Sequence, residues 1–230
     1  MKLKTIDILI PAYIPEEKYK HLLQRAITSL EKQTYKNFGV ICVLNGCYCD
    51  YQKIIEFIKT DLDIVYLKQD GKTSGAIARN FAISKSNAGL IAQIDVDDQY
   101  HPKKIERQIK YFLNNPDIDF VGTLAWEFHS KEKIIPSCFK EGQYEHHKDI
   151  VKRLSKENVM CHGSVMFKRD SFNKINGYNE IRKPDTFWPE YRAFMNEDWD
   201  LWIRAVWAGC KFYNIPERLY YWSAGTSVER

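Results

Sequence analysis

Apolar residues follow two rhythms along the first hundred residues, and the rhythm switches at regular intervals. Ile6-Asp7-Ile8-Leu9-Ile10, stopped by Pro11, and Phe38-Gly39-Val40-Ile41-Cys42-Val43-Leu44, broken by Asn45-Gly46, read as strands. Ile64-Val65-Tyr66-Leu67 is a third, and Gly89-Leu90-Ile91-Ala92-Gln93-Ile94 carries a fourth up to Asp95. Between them the apolar positions fall at helical spacing: Leu22, Leu23, Ala26, Ile27 and Leu30 within 17–32, then a short helix at 54–58 and another over 74–84. Strands alternating with helices predict an α/β fold with a mostly parallel central sheet covered on both faces. Such sheets gather ligands at the carboxyl ends of their strands, and Asn45, Asp70 and Asp95 all lie just past such ends.

The second half is less regular. Pro102 opens a helix with Ile105, Gln108, Ile109 and Phe112 on one face, ending before Pro116. Strands are expected at 120–128 and 164–167, separated by a polar, Lys-rich stretch at 130–156. His146-His147 within it reads as solvated surface rather than a metal site, because neighbouring residues on a helix point apart. Asn196 is the expected N-cap of a helix over 197–208, closed by Gly209. No repeat or linker interrupts the chain, so residues 1–230 are expected to form a single domain with halves of about 1–100 and 101–230.

Composition narrows the class. A hydrophobic content of 44% and a charged content of 28% fit an ordinary globular protein. The net charge of +4 is far from the basic stripe of a nucleic-acid binder, so no nucleic-acid partner is expected. Six cysteines are scattered, and Cys47-Tyr48-Cys49 is too close, with no partner pair, for a zinc site. Reduced thiols, no signal-peptide-like start and no transmembrane segment of ~20 apolar residues together predict a cytoplasmic protein.

Candidate chemistry concentrates in Asp95-Val96-Asp97-Asp98. Adjacent carboxylates repel unless a cation or donor sits between them, and acids at a strand mouth suit a hard divalent ion that holds phosphates. A solvated acidic loop capping the next helix is the competing reading, and only the rest of the chain separates the two.

That context consists of segments in a fixed order: Pro11-Ala12-Tyr13; Gln33 to Phe38 leading into Val43-Leu44-Asn45-Gly46; Ala78-Arg79-Asn80; the acidic turn; and Asn196-Glu197-Asp198-Trp199-Asp200-Leu201-Trp202-Ile203-Arg204. His162 to Phe167, Ile175-Asn176-Gly177-Tyr178 and Asn214 to Tyr220 add weaker matches. From about Ile6 to Tyr221 the chain resembles an inverting glycosyltransferase of family 2 with the GT-A, nucleotide-sugar-binding fold. The resemblance implies an enzyme that moves a sugar from a UDP-sugar to a glycan or glycoconjugate acceptor in polysaccharide or glycoconjugate synthesis. It further implies a Mn²⁺ or Mg²⁺ cofactor, with Asp97 and Asp98 at the metal. Asp95, Asp97 and Arg79 are then placed near the donor, Pro11, Ala12, Tyr13 and Asn45 at its base, and Asp198 as general base.

Each assignment has a structural alternative. Acids are favoured in a first helical turn by the helix dipole, which accounts equally for Asp200. Asn45 departs from the acid that relatives carry there; its amide can pair with a pyrimidine edge, or the Asn-Gly pair is simply a turn. Relatives often place a His or Arg after the last Leu-Tyr strand; here Tyr221-Trp222-Ser223 follows, with His162 as a substitute. Phe187, Trp188, Pro189, Tyr191 and Phe194 either shape an acceptor site, chiefly through Trp188 and Tyr191, or form a satellite hydrophobic cluster, and Trp199 and Trp202 are expected in the core. The alternative function is a non-catalytic nucleotide-sugar or glycan-binding module, a degenerate transferase.

Overall fold

The computed structural model describes residues 5–46, 50–129, 133–137, 144–180 and 196–224. Cys47, Cys49, Cys138 and the aromatic run from Phe187 to Phe194 lie outside the described residues. In the first half, β1 (Ile6–Ala12), β2 (Phe38–Asn45), β3 (Ile64–Gln69) and β4 (Leu90–Gln93) form the parallel array β3-β2-β1-β4. The connections are α1 (Lys20–Glu31), α2 (Tyr51–Phe57) and α3 (Gly75–Lys85). Alternation along β1 feeds two cores. Ile8 and Ile10 pack with Leu23, Ala26 and Ile27 of α1, whereas Leu9 packs on the other face with Ala78 and Ala82 of α3. Covered on both faces, β2 is buried at every position.

β1 continues through Pro11 instead of stopping there, pairing Pro11 with Val43. Its partnership with β4 covers only Ile6 to Leu9, so Pro11 is flanked by a strand on one side and its missing N–H is tolerated.

The second half is antiparallel in large part, which is why strand-helix alternation fades there. It contributes β5 (Gln99–Tyr100), β6 (Phe120–Phe128), β7 (Ile134–Pro136), β8 (Met166–Lys168) and β9 (Phe212–Ser223). The sheet continues from β4 as β8-β6-β9-β5, with β7 on β6, and the β6–β9 register shifts around Leu124. Helices α4 (Lys104–Asn114), α5 (His147–Leu154), α6 (Arg169–Lys174) and α7 (Glu197–Trp207) pack around it. β5 ends the strand order, yet the Tyr100 hydroxyl donates to the carbonyl of Gln93 in β4 at 2.6 Å. The sheet therefore curls until its far edge meets the acidic turn.

Two local expectations change. The Lys-rich stretch holds a helix, α5, whose first residue His147 stacks on Phe212 while His146 stays exposed. Asn196 is extended at the start of α7 but makes no side-chain cap. Among the described residues, no helix is long and apolar enough to cross a membrane.

Candidate active site

The acidic turn leaves β4 with its side chains alternating. Asp95 and Asp97 are half-buried, while Val96 and Asp98 turn inward. Asp98 is 1% exposed; its Oδ2 accepts from the Tyr220 hydroxyl at 2.5 Å and its Oδ1 from the Ser223 N–H at 2.7 Å. The Ser223 hydroxyl and the Arg25 guanidinium both donate to the Asp97 carbonyl, and Arg25 also reaches Ser223 Oγ at 2.9 Å. Thus the end of β9, with α1, clamps the turn from behind. Burial and the neighbouring carboxylates of Asp95 and Asp97 push Asp98 well above the usual carboxylate range. Gly163 makes the clamp possible, since a Cβ there would sit 1.9 Å from the Tyr220 hydroxyl oxygen.

Arg79, on α3, is 5% exposed and forks between two acids. Its Nη2 meets Asp95 Oδ1 at 2.5 Å and its Nη1 meets Glu197 Oε1 at 2.9 Å. Burial works against its charge, but Asp95, Tyr178 and Glu197 outweigh that and raise its hold on the proton. One guanidinium therefore ties the acidic turn to the start of α7, across 118 residues of sequence.

Asp198 lies beside that tie and is 7% exposed. Its Oδ1 accepts from the Trp199 N–H at 2.9 Å and its Oδ2 from the Asn158 amide at 2.7 Å. Burial pushes its carboxyl up to about 6, against the opposing pull of these two donors. A carboxylate so tuned can accept a proton near neutral pH. Asp200, by contrast, pairs with Arg204 on its own helix at 2.8 Å.

At the strand mouths, Pro11 and Tyr13 are half-buried and Ala12 is fully buried in the core. The Lys72 ammonium sits 4.5 Å over the Tyr13 ring. Asn45 is spent on the loop after β3: its Oδ1 accepts from the Thr73 N–H at 2.9 Å and from the Thr73 hydroxyl at 2.8 Å, and its Nδ2 donates to the Thr73 carbonyl at 3.0 Å. Gly46, at φ +62°, lets that loop close in, because a Cβ would lie 2.4 Å from the Lys72 Cα. Asp70 points away, its side chain 90% exposed beside Lys68. Ser74 caps α3 through the Ile77 N–H.

Sequence reasoning missed Asn158, Tyr220, Ser223 and Arg25. Asn158 and Arg25 lie in no matching segment, Tyr220 and Ser223 close one and follow it without a chemistry of their own, and only the curl of the sheet brings the four to the acids. His162 donates to the Tyr178 hydroxyl at 2.8 Å, which in turn donates to Gln93 at 2.8 Å. Trp202 is fully buried, as expected, and the half-buried Trp199 donates its indole N–H to the Leu154 carbonyl at 2.7 Å.

Comparison with known proteins places the chain in a family. Residues 7–176 match the family model described as glycosyl transferase family 2. An uncharacterized glycosyltransferase of Methanocaldococcus jannaschii is 30% identical over 95% of this chain and 73% of its own length. The O-antigen biosynthesis glycosyltransferase WbnJ of Escherichia coli is 30% identical over 90% of this chain and 74% of its own. Among solved structures, S. aureus TarS superposes with a TM-score of 0.72 at 14% identity, covering 96% of this chain, which spans only 37% of that one. A TarS 1-349 structure in complex with UDP-GlcNAc gives 0.71 at 14% identity over 97% of this chain and 59% of that one. The architecture is the GT-A fold, and the chain belongs to glycosyl transferase family 2 and is a glycosyltransferase.

Proposed function

We propose that the protein transfers a hexosyl or N-acetylhexosaminyl group from a UDP-sugar to a hydroxyl of a glycan or glycoconjugate acceptor, by single displacement with inversion. The observation that carries this reading is the Arg79 fork, which seats the acidic turn against the helix start bearing the buried Asp198. The acceptor O–H gives its proton to Asp198 while its oxygen bonds to the anomeric carbon. The bond from that carbon to the diphosphate breaks, and UDP leaves with the electron pair. UDP-GlcNAc bound to TarS supports the donor class, and the O-antigen role of WbnJ supports a glycan acceptor.

A divalent ion, Mn²⁺ or Mg²⁺, fits the half-buried Asp97, a hard oxygen ligand on the outer side of the turn, with Asp95 beside it. Such an ion would supply charge neutralisation on the departing diphosphate. Asp98, almost wholly buried and held by Tyr220 and Ser223, acts from behind by fixing the turn. An ion held there would draw its remaining ligands from the diphosphate and water. Pro11 and Tyr13 line the base pocket, Tyr13 by stacking, with Ala12 buried behind them, and Asn45 shapes its wall through Thr73. The free thiols of Cys161 and Cys210 suit a cytoplasmic setting.

The test is a thermal-shift panel of UDP-GlcNAc and other UDP-hexoses with and without Mn²⁺, followed by UDP release. A UDP-sugar should stabilise the protein more with Mn²⁺ than without it, and Asp97→Ala should remove that increment. Stabilisation by no UDP-sugar would overturn the donor assignment.

A further inference from the structure

We propose that Asn158 is a positioning residue for the base: its amide holds the Asp198 carboxylate in one orientation and keeps it ionised. The inference deepens the reading of Asp198 as general base and rests on it.

The geometry is specific. Asn158 lies between α5 and the 3-10 turn at His162–Ser164, in a segment that is anchored at several points. Val159 and Met160 are each 1% exposed, and the Val159 carbonyl accepts from the Asn214 amide at 3.2 Å. The Asn158 Oδ1 accepts from the Met160 N–H at 3.2 Å, a local turn that assigns the amide and leaves Nδ2 aimed at Asp198. On the other side, the Trp199 indole bonds to the Leu154 carbonyl and ties the start of α7 to the end of α5. Donor and acceptor are therefore each fixed by backbone contacts that do not involve the other. Each Asp198 oxygen takes one hydrogen bond and keeps a further lone pair for an incoming proton.

The electrostatics need such a donor. Burial and Glu197 on the same helix favour the protonated acid, while Arg79 from α3 and the Trp199 N–H oppose it. The buried Tyr178 hydroxyl and the half-buried Cys161 thiol also interact electrostatically with Asp198 and are neutral at physiological pH, each being held in its protonated form chiefly by desolvation. Asn158 donates the only side-chain hydrogen bond to Asp198 found among the described residues.

The experiment reads Asp198 directly. Carboxyl ¹³C resonances of labelled aspartate are titrated, with that of Asp198 assigned by its loss in Asp198→Asn. In Asn158→Ala the midpoint should rise by about one pH unit, a tenfold change in proton affinity. Asn158→Asp is nearly isosteric and can still accept from the Met160 N–H, so it guards against loss of fold. It should give a larger rise and two coupled steps. UDP release from UDP-GlcNAc should fall about fivefold at pH 6 in Asn158→Ala and stay within about twofold at pH 8.5. A purely structural role would lower the melting temperature and leave the Asp198 midpoint unmoved, and that result would overturn the inference. Undiminished UDP release in Asp198→Asn would instead overturn the base assignment, a separate outcome.

Discussion

At the residue scale, Asp198 shows how function and stability oppose each other. Its pKa in the fold, pushed up to about 6, lies above the ordinary aspartate value of about 3.9, so the folded state binds its proton more tightly than the unfolded chain does. That contribution to stability is fully present below the unfolded pKa and is lost as pH rises through about 6. Asp198→Asn should therefore abolish transfer yet stabilise the protein by about 2–3 kcal/mol at pH 8, with the gain vanishing toward pH 4. Urea unfolding at the two pH values measures both limits. Lys104 has the opposite sign. Its ammonium nitrogen is buried, 2.8 Å from Gln108 Oε1 and 4.0 Å from the Tyr100 ring centre, and burial drives its pKa well below that of an ordinary lysine. The unfolded chain thus binds the extra proton, and stability relative to Lys104→Met should rise as pH is taken from 7 toward 10. Urea midpoints of the two proteins across that range check it; a constant difference would show Lys104 to be charged in the fold. Nothing in Lys103-Lys104 marks one lysine as buried, because its depth follows from where α4 docks and not from its neighbours in sequence.

Elements carry the second lesson. β1 to β4 were legible because a strand covered on both faces must be apolar throughout, as β2 is, and because each joining helix shows a single buried face. The far part of the sheet was legible only in pieces. β5 is two residues long, and β9 has its alternation interrupted at the register shift opposite Leu124. The contact that matters, Tyr220 to Asp98, spans 122 residues. The acidic turn itself could be read as a cluster, but its division into outward Asp95 and Asp97 and inward Asp98 depends on that distant strand. Tyr220→Phe removes one donor from the buried carboxylate and should cost about 1–3 kcal/mol. Gly163→Ala should cost at least as much, since the new Cβ must displace the same hydroxyl. In the double variant the two costs should fall well short of adding, because each removes one contact; full additivity in denaturant titrations would show that Gly163 and Tyr220 act separately.

Over the whole molecule, the question is how two halves that meet along β4 and β8 hold an acidic turn from one and a base from the other in fixed relation. Arg79 answers it. The resemblance places this residue near the donor, but in the structure its two terminal nitrogens are committed to Asp95 and Glu197. A planar guanidinium can hold two carboxylates at once, whereas an ammonium on a flexible stem holds one well. Arg79→Met should cost about 3 kcal/mol, because it strands two half-buried acids. Arg79→Lys should keep the fold yet loosen the spacing between turn and base. Misplacement on that scale lowers kcat, by about 10²-fold when reacting groups drift by an ångström, and leaves ground-state binding nearly intact. Calorimetry with UDP and Mn²⁺ should therefore find Kd for Arg79→Lys within about threefold of wild type while UDP release from UDP-GlcNAc falls far more. A guanidinium that gripped the diphosphate would behave in reverse: Kd would rise with the loss of a charged hydrogen bond, and kcat would follow only in proportion. The comparison of Kd with kcat in this one variant decides between a donor contact and a strut across the site.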